Sequence, residues 1–143
     1  MSTRAVIARP KGDEWEGRYH HSDGYPTGLG ATLWALVKES GVEWAQRTLL
    51  DEHTGWSTIN GADWAQSPGY GQKGAPACYC HGMRSEEGWW IDPSSDTDTE
   101  WCYVLGALGM TVYARTRGGW LLCGSYLYDG PEPTWDQIEK GER

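Results

Sequence analysis

One stretch near the start of the chain has the residue types and spacing of a ligand-binding loop. Residues 19–30 read Tyr-His-His-Ser-Asp-Gly-Tyr-Pro-Thr-Gly-Leu-Gly. Gly28 and Gly30 stand at the start of a predicted helix, where unbonded N–H groups and the positive end of the helix dipole favour a phosphate or carboxylate. The segment has neither the lysine of a P-loop nor the dinucleotide fingerprint. The alternative is that its glycines only permit a tight turn and close packing of helix on sheet.

Two histidines and one aspartate in this loop have side chains that can move a proton. His20 and His21 occupy adjacent strand positions, so their side chains point to opposite faces and only one of them can join Asp23. A histidine beside an aspartate can serve as a general base, or as a charged donor to a phosphate. The alternative is a structural histidine bonded to a loop carbonyl.

A second group of residues invites comparison with zinc sites. Cys78, Cys80 and His81 form a C-x-C-H sequence, and Cys102 and Cys123 lie elsewhere. This spacing differs from the usual C-x₂₋₄-C pair, and alternate residues of a strand need an abrupt turn to hold one ion. We therefore expect no metal ion and no cofactor, with the cysteines as free thiols in or under a sheet.

Charge and composition exclude several classes of function. The net charge is −8, the opposite of the basic surface that duplex nucleic acid or an anionic membrane requires. No apolar run is long enough to span a bilayer, and we expect a cytoplasmic protein. The chain has 10 Trp and 8 Tyr but no Phe, so its large rings either stack on a planar ligand or fill the core.

The elements that must position the loop are predicted from periodicity. Residues 3–8 and 15–21 are short strands joined by a Pro- and Gly-containing turn, which predicts an antiparallel hairpin. Apolar residues at helical spacing predict a helix over residues 28–40, with Thr27 as its N-cap and Gly41 as its stop.

The rest of the chain is mainly β in pattern. A second helix is predicted over residues 42–52, and one short strand over 77–81. Three β-branched and aromatic runs, 101–105, 110–115 and 120–126, predict a meander. A short C-terminal helix is predicted over 135–139, capped by Thr134.

The predicted fold class is a single α+β domain covering residues 1–143. We expect a mainly antiparallel sheet of about five to six strands, packed against the pair of helices over residues 28–40 and 42–52. No internal repeat and no linker divides the chain.

The loop resembles a motif of small uncharacterised proteins of actinobacteria and their phages. In that motif a strand Tyr-x-His-x-Asp-Gly-Tyr-Pro is followed by x-Gly-x-Gly and a Leu-rich helix, matched here by YHHSDGYPTGLG. The histidine of the pattern aligns with His21, which favours His21 over His20. Ser22 stands where the pattern has a tryptophan, so any stacking on a ligand at that position is lost here. The resemblance implies a shared fold and supplies no activity.

These observations combine into one predicted site. Each member offers a ligand a charged or polar side chain, an aromatic ring, or a glycine that lets the backbone approach closely. The members are Arg18, His21, Asp23, Gly24, Tyr25, Gly28 and Gly30. The predicted partner is a small phosphorylated or nucleotide-like molecule, bound without catalysis, as in a phage protein that counters host immune signalling. Two alternatives stay open: a small hydrolase or transferase using His21 and Asp23, and an interaction module that inhibits a host protein. The chain is compatible with a homo-oligomer.

Overall fold

The computed structural model describes residues 2–69, 73–80 and 90–141, which form one α+β domain. The strands are β1 (Ala5–Lys11), β2 (Glu14–His20), β3 (Gly55–Thr58), β4 (Ala77–Cys78), β5 (Trp101–Leu105), β6 (Gly109–Thr116) and β7 (Gly119–Leu127). The helices are α1 (Ala31–Ser40), α2 (Val42–Gln46) and α3 (Trp135–Gly141), with π-helical turns at Pro26–Gly30 and Arg47–Asp51. The predicted α+β class is confirmed.

The seven strands form one mixed sheet in the order β4-β3-β2-β1-β5-β6-β7. The β1–β2 hairpin lies inside the sheet, with Ala5 opposite His20. Both outer sides of this hairpin pair in parallel, β1 with β5 and β2 with β3, and every other pair is antiparallel. The sheet is therefore mainly antiparallel as predicted, with seven strands where we expected five to six.

The strand that sequence analysis missed is β3. It has four residues, and it pairs with β2 over two of them, Tyr19 with Gly55 and His20 with Trp56. Strand β4 lies within the predicted residues 77–81 but ends at Cys78, and His81 is outside the described residues.

The two predicted helices are present with altered starts and ends. The first α-helix begins at Ala31 because Pro26–Gly30 forms a wider π-helical turn, in which the Ala31 N–H bonds the Pro26 carbonyl. The second ends at Gln46 and continues as Arg47–Asp51. Gly41 separates the two helices with φ of 94°, a backbone conformation that favours glycine.

The predicted meander is confirmed as β5, β6 and β7. Strand β7 is the last in the sheet, and a β-bulge interrupts its register with β6 between Val112 and Tyr113. Leu121, Leu122 and Leu127 of β7 are exposed. The chain carries no charged residue from Gly119 to Tyr128, so this edge is apolar and uncharged.

The main core lies between the sheet and the helices. Alternate strand residues such as Ile7, Trp101 and Tyr103 pack there against Leu29 and Leu33 of the first helical segment. A smaller cluster covers the opposite face of the sheet, built from Val6, Ala8, Trp15, Ile91, Cys102 and Val104. Adjacent strand residues point to opposite faces and so contribute to different clusters. The same applies to the residues of β2 that lead into the loop.

Candidate functional site

Three amides of the motif loop are bonded inside the protein. Gly24 N–H donates to the Thr3 carbonyl at 2.8 Å, Gly28 N–H to the Tyr25 carbonyl at 2.9 Å, and Leu29 N–H to the Asp23 carbonyl at 3.1 Å. An anion would have to displace these bonds. The loop therefore does not present these three amides to a phosphate.

A side chain of the protein also occupies the start of the first helical segment. Glu139 of α3 accepts from the Thr27 N–H at 3.0 Å and from the Thr27 hydroxyl at 2.7 Å. Thr27 was predicted to cap the helix with its own side chain. Instead the hydroxyl donates to a carboxylate, which takes the place that an anionic ligand was expected to fill.

The loop glycines lie where a side chain would collide with neighbouring atoms. A Cβ on Gly24 would stand 2.6 Å from the Ala5 Cβ, and one on Gly28 would stand 2.6 Å from the Asp23 carbonyl oxygen. A Cβ on Gly30 would lie 3.0 Å from the ring of Trp135. These contacts account for the glycines by packing of the loop on β1 and of α3 on the helix start.

His21 and Asp23 do not form an acid–base pair in this arrangement. The Nδ1 of His21 lies 2.7 Å from the Tyr19 hydroxyl. Asp23 has φ of 53°, and its main-chain carbonyl, not its carboxylate, accepts the bonds from Leu29 and Asn60. Within the described part of the chain no hydrogen bond or ion pair joins these two side chains. Tyr25 packs against the main core.

The remaining predicted residue, Arg18, has partners away from the loop. Its Nε donates to the Leu50 carbonyl at 2.8 Å, and its guanidinium stacks over the Trp90 ring at 3.6 Å. Burial lowers the pKa of Arg18, and the nearby Asp51 carboxylate opposes that shift. The predicted residues therefore lie in three places. His21 is beside Tyr19, Arg18 is beside Trp90, and the others remain in the loop.

His20 is fully buried under the helices. Its Nε2 accepts from the Ile59 N–H at 3.0 Å, which leaves the proton on Nδ1, and Nδ1 has no hydrogen-bond partner. Burial lowers the pKa of His20 to about 3, and neighbouring His21 adds to the shift. His20 is therefore a neutral structural residue that joins β2 to the chain following β3.

A shallow groove adjoins the loop. It has a volume of about 250 Å³ and lies between α1 and the residues that follow β3. The residues that line it are Thr32, Ala35, Leu36, Glu39, Ile59, Gly61, Ala62 and Trp64. Asn60, next to this lining, donates to the Asp23 carbonyl at 3.0 Å and so connects the groove to the motif. The sequence signal for the groove is weak, since Trp64 lies in the stretch without periodicity.

A second cluster of chemically active side chains lies at the β3–β4 end of the sheet. His53 Nδ1 is 3.2 Å from Cys80 Sγ, and Cys78 Sγ completes a group whose ligand atoms all lie within 4.8 Å of one another. Sequence analysis singled out the two cysteines but missed His53. His53 is far from the two cysteines in the sequence, so no motif contains all three. The pairing of β3 with β4 brings them together in the fold.

No protein-family model, curated protein or solved structure matches this chain. Among the described helices, none has both the length and the apolar character needed to span a bilayer.

Proposed function

We propose that this protein is a non-enzymatic binder of a small nucleotide-like molecule, held by its planar part in the groove beside α1. The observation that supports this most directly is the position of the groove. It connects to the motif loop through Asn60, and Trp64 contributes an aromatic wall. Drug-sized ligands occupy about 300–1,000 Å³. A groove of about 250 Å³ suits one planar ring system and leaves the rest of the ligand in solvent.

The chemistry of the lining narrows the ligand class. Glu39 is the charged residue of the lining, and its exposed carboxylate can accept from an exocyclic amino group. The described lining contains no basic side chain. Because the loop amides are bonded and Glu139 occupies the helix start, the groove favours a nucleobase or nucleoside over a phosphate group.

A binding panel tests this proposal. Thermal shift and calorimetry would compare nucleosides, mononucleotides and cyclic nucleotides. A ligand at a hundredfold its dissociation constant should add about 2.7 kcal/mol of stability. Nucleosides should stabilise the protein at least as well as their phosphorylated forms. If none of the compounds stabilises the protein at millimolar concentration, the proposal is wrong.

A matched pair of variants locates the binding. Ala35 is exposed and lines the groove, so Ala35→Trp should fill it and abolish binding. Ala107 is also exposed but lies outside the groove, so Ala107→Trp should bind normally. Equal binding by both variants would place the ligand elsewhere.

The phage setting depends on the same panel. Sequestration of a host nucleotide signal by a phage protein requires that phosphorylated forms bind as tightly as nucleosides. Weaker binding of cyclic and linear nucleotides would separate ligand binding from immune evasion. It would leave the groove as a nucleoside site.

A second candidate function is protein–protein association through the edge of β7. The observation that favours it is the uncharged edge with exposed Leu121, Leu122 and Leu127. An unprotected edge strand pairs readily with another strand. We propose a second copy as the partner, since two uncharged edges meet without repulsion although each chain carries −8. The bulge near Val112 shortens the regular edge, so the association should be weak.

A further inference from the structure

We propose that His53, Cys78 and Cys80 form a binding site for a zinc ion. None of these three residues lines the groove or belongs to β7. The three ligand atoms converge within 4.8 Å of one another, and His53 Nδ1 lies 3.2 Å from Cys80 Sγ. Zinc binds sulfur at about 2.3 Å and nitrogen at about 2.0–2.1 Å, which places neighbouring ligands of a tetrahedron roughly 3.5–3.8 Å apart. Small side-chain movements suffice to hold one ion.

The backbone explains why these residues meet. Strands β3 and β4 are antiparallel, with Trp56 opposite Cys78, and Tyr79 N–H donates to the Gly55 carbonyl at 3.0 Å. The chain after Cys78 therefore runs back beside the residues that precede β3. Cys80 is in a turn after β4 has ended. Its backbone is therefore not extended, and the objection that alternate strand residues point apart does not apply to this C-x-C pair. This pairing brings Cys80 next to His53.

The imidazole is held by its surroundings before any ion arrives. His53 is buried, and its ring centroid lies 4.8 Å from that of Trp56. Trp56 is itself fully buried, with its Nε1 donating to the Leu49 carbonyl at 3.0 Å. A fixed ring costs less entropy when it becomes a metal ligand. Cys78 is fully buried and Cys80 partly exposed, which gives the site a closed side and an accessible one.

The donor set selects the metal. Two thiols and one imidazole suit zinc and other borderline or soft ions, whereas calcium and magnesium prefer oxygen ligands. Cys78 and Cys80 are thiols and form no disulfide with another described cysteine. On binding, each thiol loses its proton to solvent as the Zn–S bond forms, so one ion releases two protons from the cysteines.

The described residues supply three ligands, which leaves one tetrahedral position. Zinc sites with three protein ligands carry water or a bound molecule in the fourth position, while sites with a structural role have four. Cys80 lies on the exposed side of the cluster. Of the described residues, these three alone form the group, and an exogenous ligand would approach from the Cys80 side.

Metal binding by the reduced full chain, made without an affinity tag, tests the site. Zinc content and cobalt titration are measured after chelation. We expect one ion per chain, a thiolate-to-cobalt charge-transfer band and the strong d–d absorption of a tetrahedral site. Absence of metal binding by the folded, reduced protein would overturn the proposal.

Single variants assign the ligands. Loss of a partner that only supports a ligand weakens metal affinity by roughly 10- to 100-fold. Cys80→Ser and His53→Gln remove direct ligands, so each should weaken binding by more than about 100-fold. Cys80→Ser should also reduce proton release from two per zinc to one. Cys123→Ser, a partly exposed cysteine outside the cluster, is the matched control and should bind zinc normally. Unchanged affinity in the first two variants would refute the assignment.

A measurement on the unmodified chain covers the case in which a variant does not fold. Alkylation followed by mass spectrometry, with and without zinc, reports protection of each cysteine. Zinc should protect the partly exposed Cys80 and leave the labelling of Cys123 unchanged, while the buried Cys78 stays unlabelled in both conditions. Equal labelling of Cys80 in both conditions would overturn the site.

Discussion

Glu139 accepts two hydrogen bonds from Thr27, one from the backbone N–H at 3.0 Å and one from the hydroxyl at 2.7 Å. The C-terminal helix thereby caps the first helical segment of the chain. Thr27 belongs to the motif loop, so this contact ties the loop to residues near the end of the sequence. The carboxylate satisfies an N–H that otherwise has no partner in the helix.

The first prediction concerns this cap. Glu139→Ala should lower the free energy of unfolding by about 0.5–2 kcal/mol, the usual cost of losing a helix cap. Urea unfolding followed by circular dichroism measures it. Lys140→Ala, an exposed change on the same helix, should stay within about 0.5 kcal/mol of the parent. Equal stability of the two variants would mean that solvent replaces the Glu139 carboxylate without loss.

The second prediction separates packing from ligand contact in the motif. A Cβ on Gly24 would meet the Ala5 Cβ at 2.6 Å and the Thr3 carbonyl oxygen at 2.8 Å. Forcing extra atoms into a packed region costs about 1–3 kcal/mol, so Gly24→Ala should destabilise the protein by that amount. Gly118 has open space around it, with its nearest neighbour at 3.9 Å, and Gly118→Ala is the control. A Gly24→Ala protein of normal stability would show that the loop can shift away from β1.

The third prediction is a pH dependence from His20. The pKa of His20 falls to about 3 in the folded protein, below its ordinary value of about 6.5. Between these values the unfolded chain binds a proton that the folded chain does not, so stability is lost as the pH falls. The loss reaches about 2 kcal/mol by pH 5.

Variants attribute this slope to one residue. His20→Gln keeps an acceptor for the Ile59 N–H and cannot titrate, so its stability should change less between pH 7 and pH 5. His21→Gln removes only the smaller of the two causes of the shift and should keep most of the parental slope. Urea unfolding midpoints at several pH values measure how stability depends on pH. If His20→Gln loses as much stability as the parent between pH 7 and pH 5, groups other than His20 cause the loss.

The fourth prediction tests self-association through β7. Light scattering should detect dimers at high protein concentration, and Leu122→Lys should remove them by placing charges at the shared edge. Leu108 is also exposed but lies in the β5–β6 turn, so Leu108→Lys should behave like the parent. A monomer at every concentration excludes the second candidate function.

Local patterns predicted the regular elements well. The β1–β2 hairpin, the helix pair and the β5–β7 meander are each built from neighbouring segments with a clear period. Strand β3 was missed because it is short, and its pairing with β2 spans a long stretch of chain. The sequence around β3 does not indicate which distant strand it pairs with.

The same reason limited the prediction of the functional residues. Cys78 and Cys80 stand out in the sequence, but His53 joins them only through the β3–β4 pairing. Glu139 reaches Thr27 from the opposite end of the chain, so the bonded state of the helix start had no local signal. The loop glycines were recognised, and the structure gives them packing contacts with Ala5, Asp23 and Trp135.

The parallel pairing of β1 with β5 sets an order of events during synthesis. Ala5 leaves the ribosome 96 residues before its sheet neighbour Trp101. Until then the hairpin of the nascent chain has an unpaired β1 edge, and its apolar residues lack the cover that β5 provides. A translation pause before residue 101 would leave that edge open to other strands.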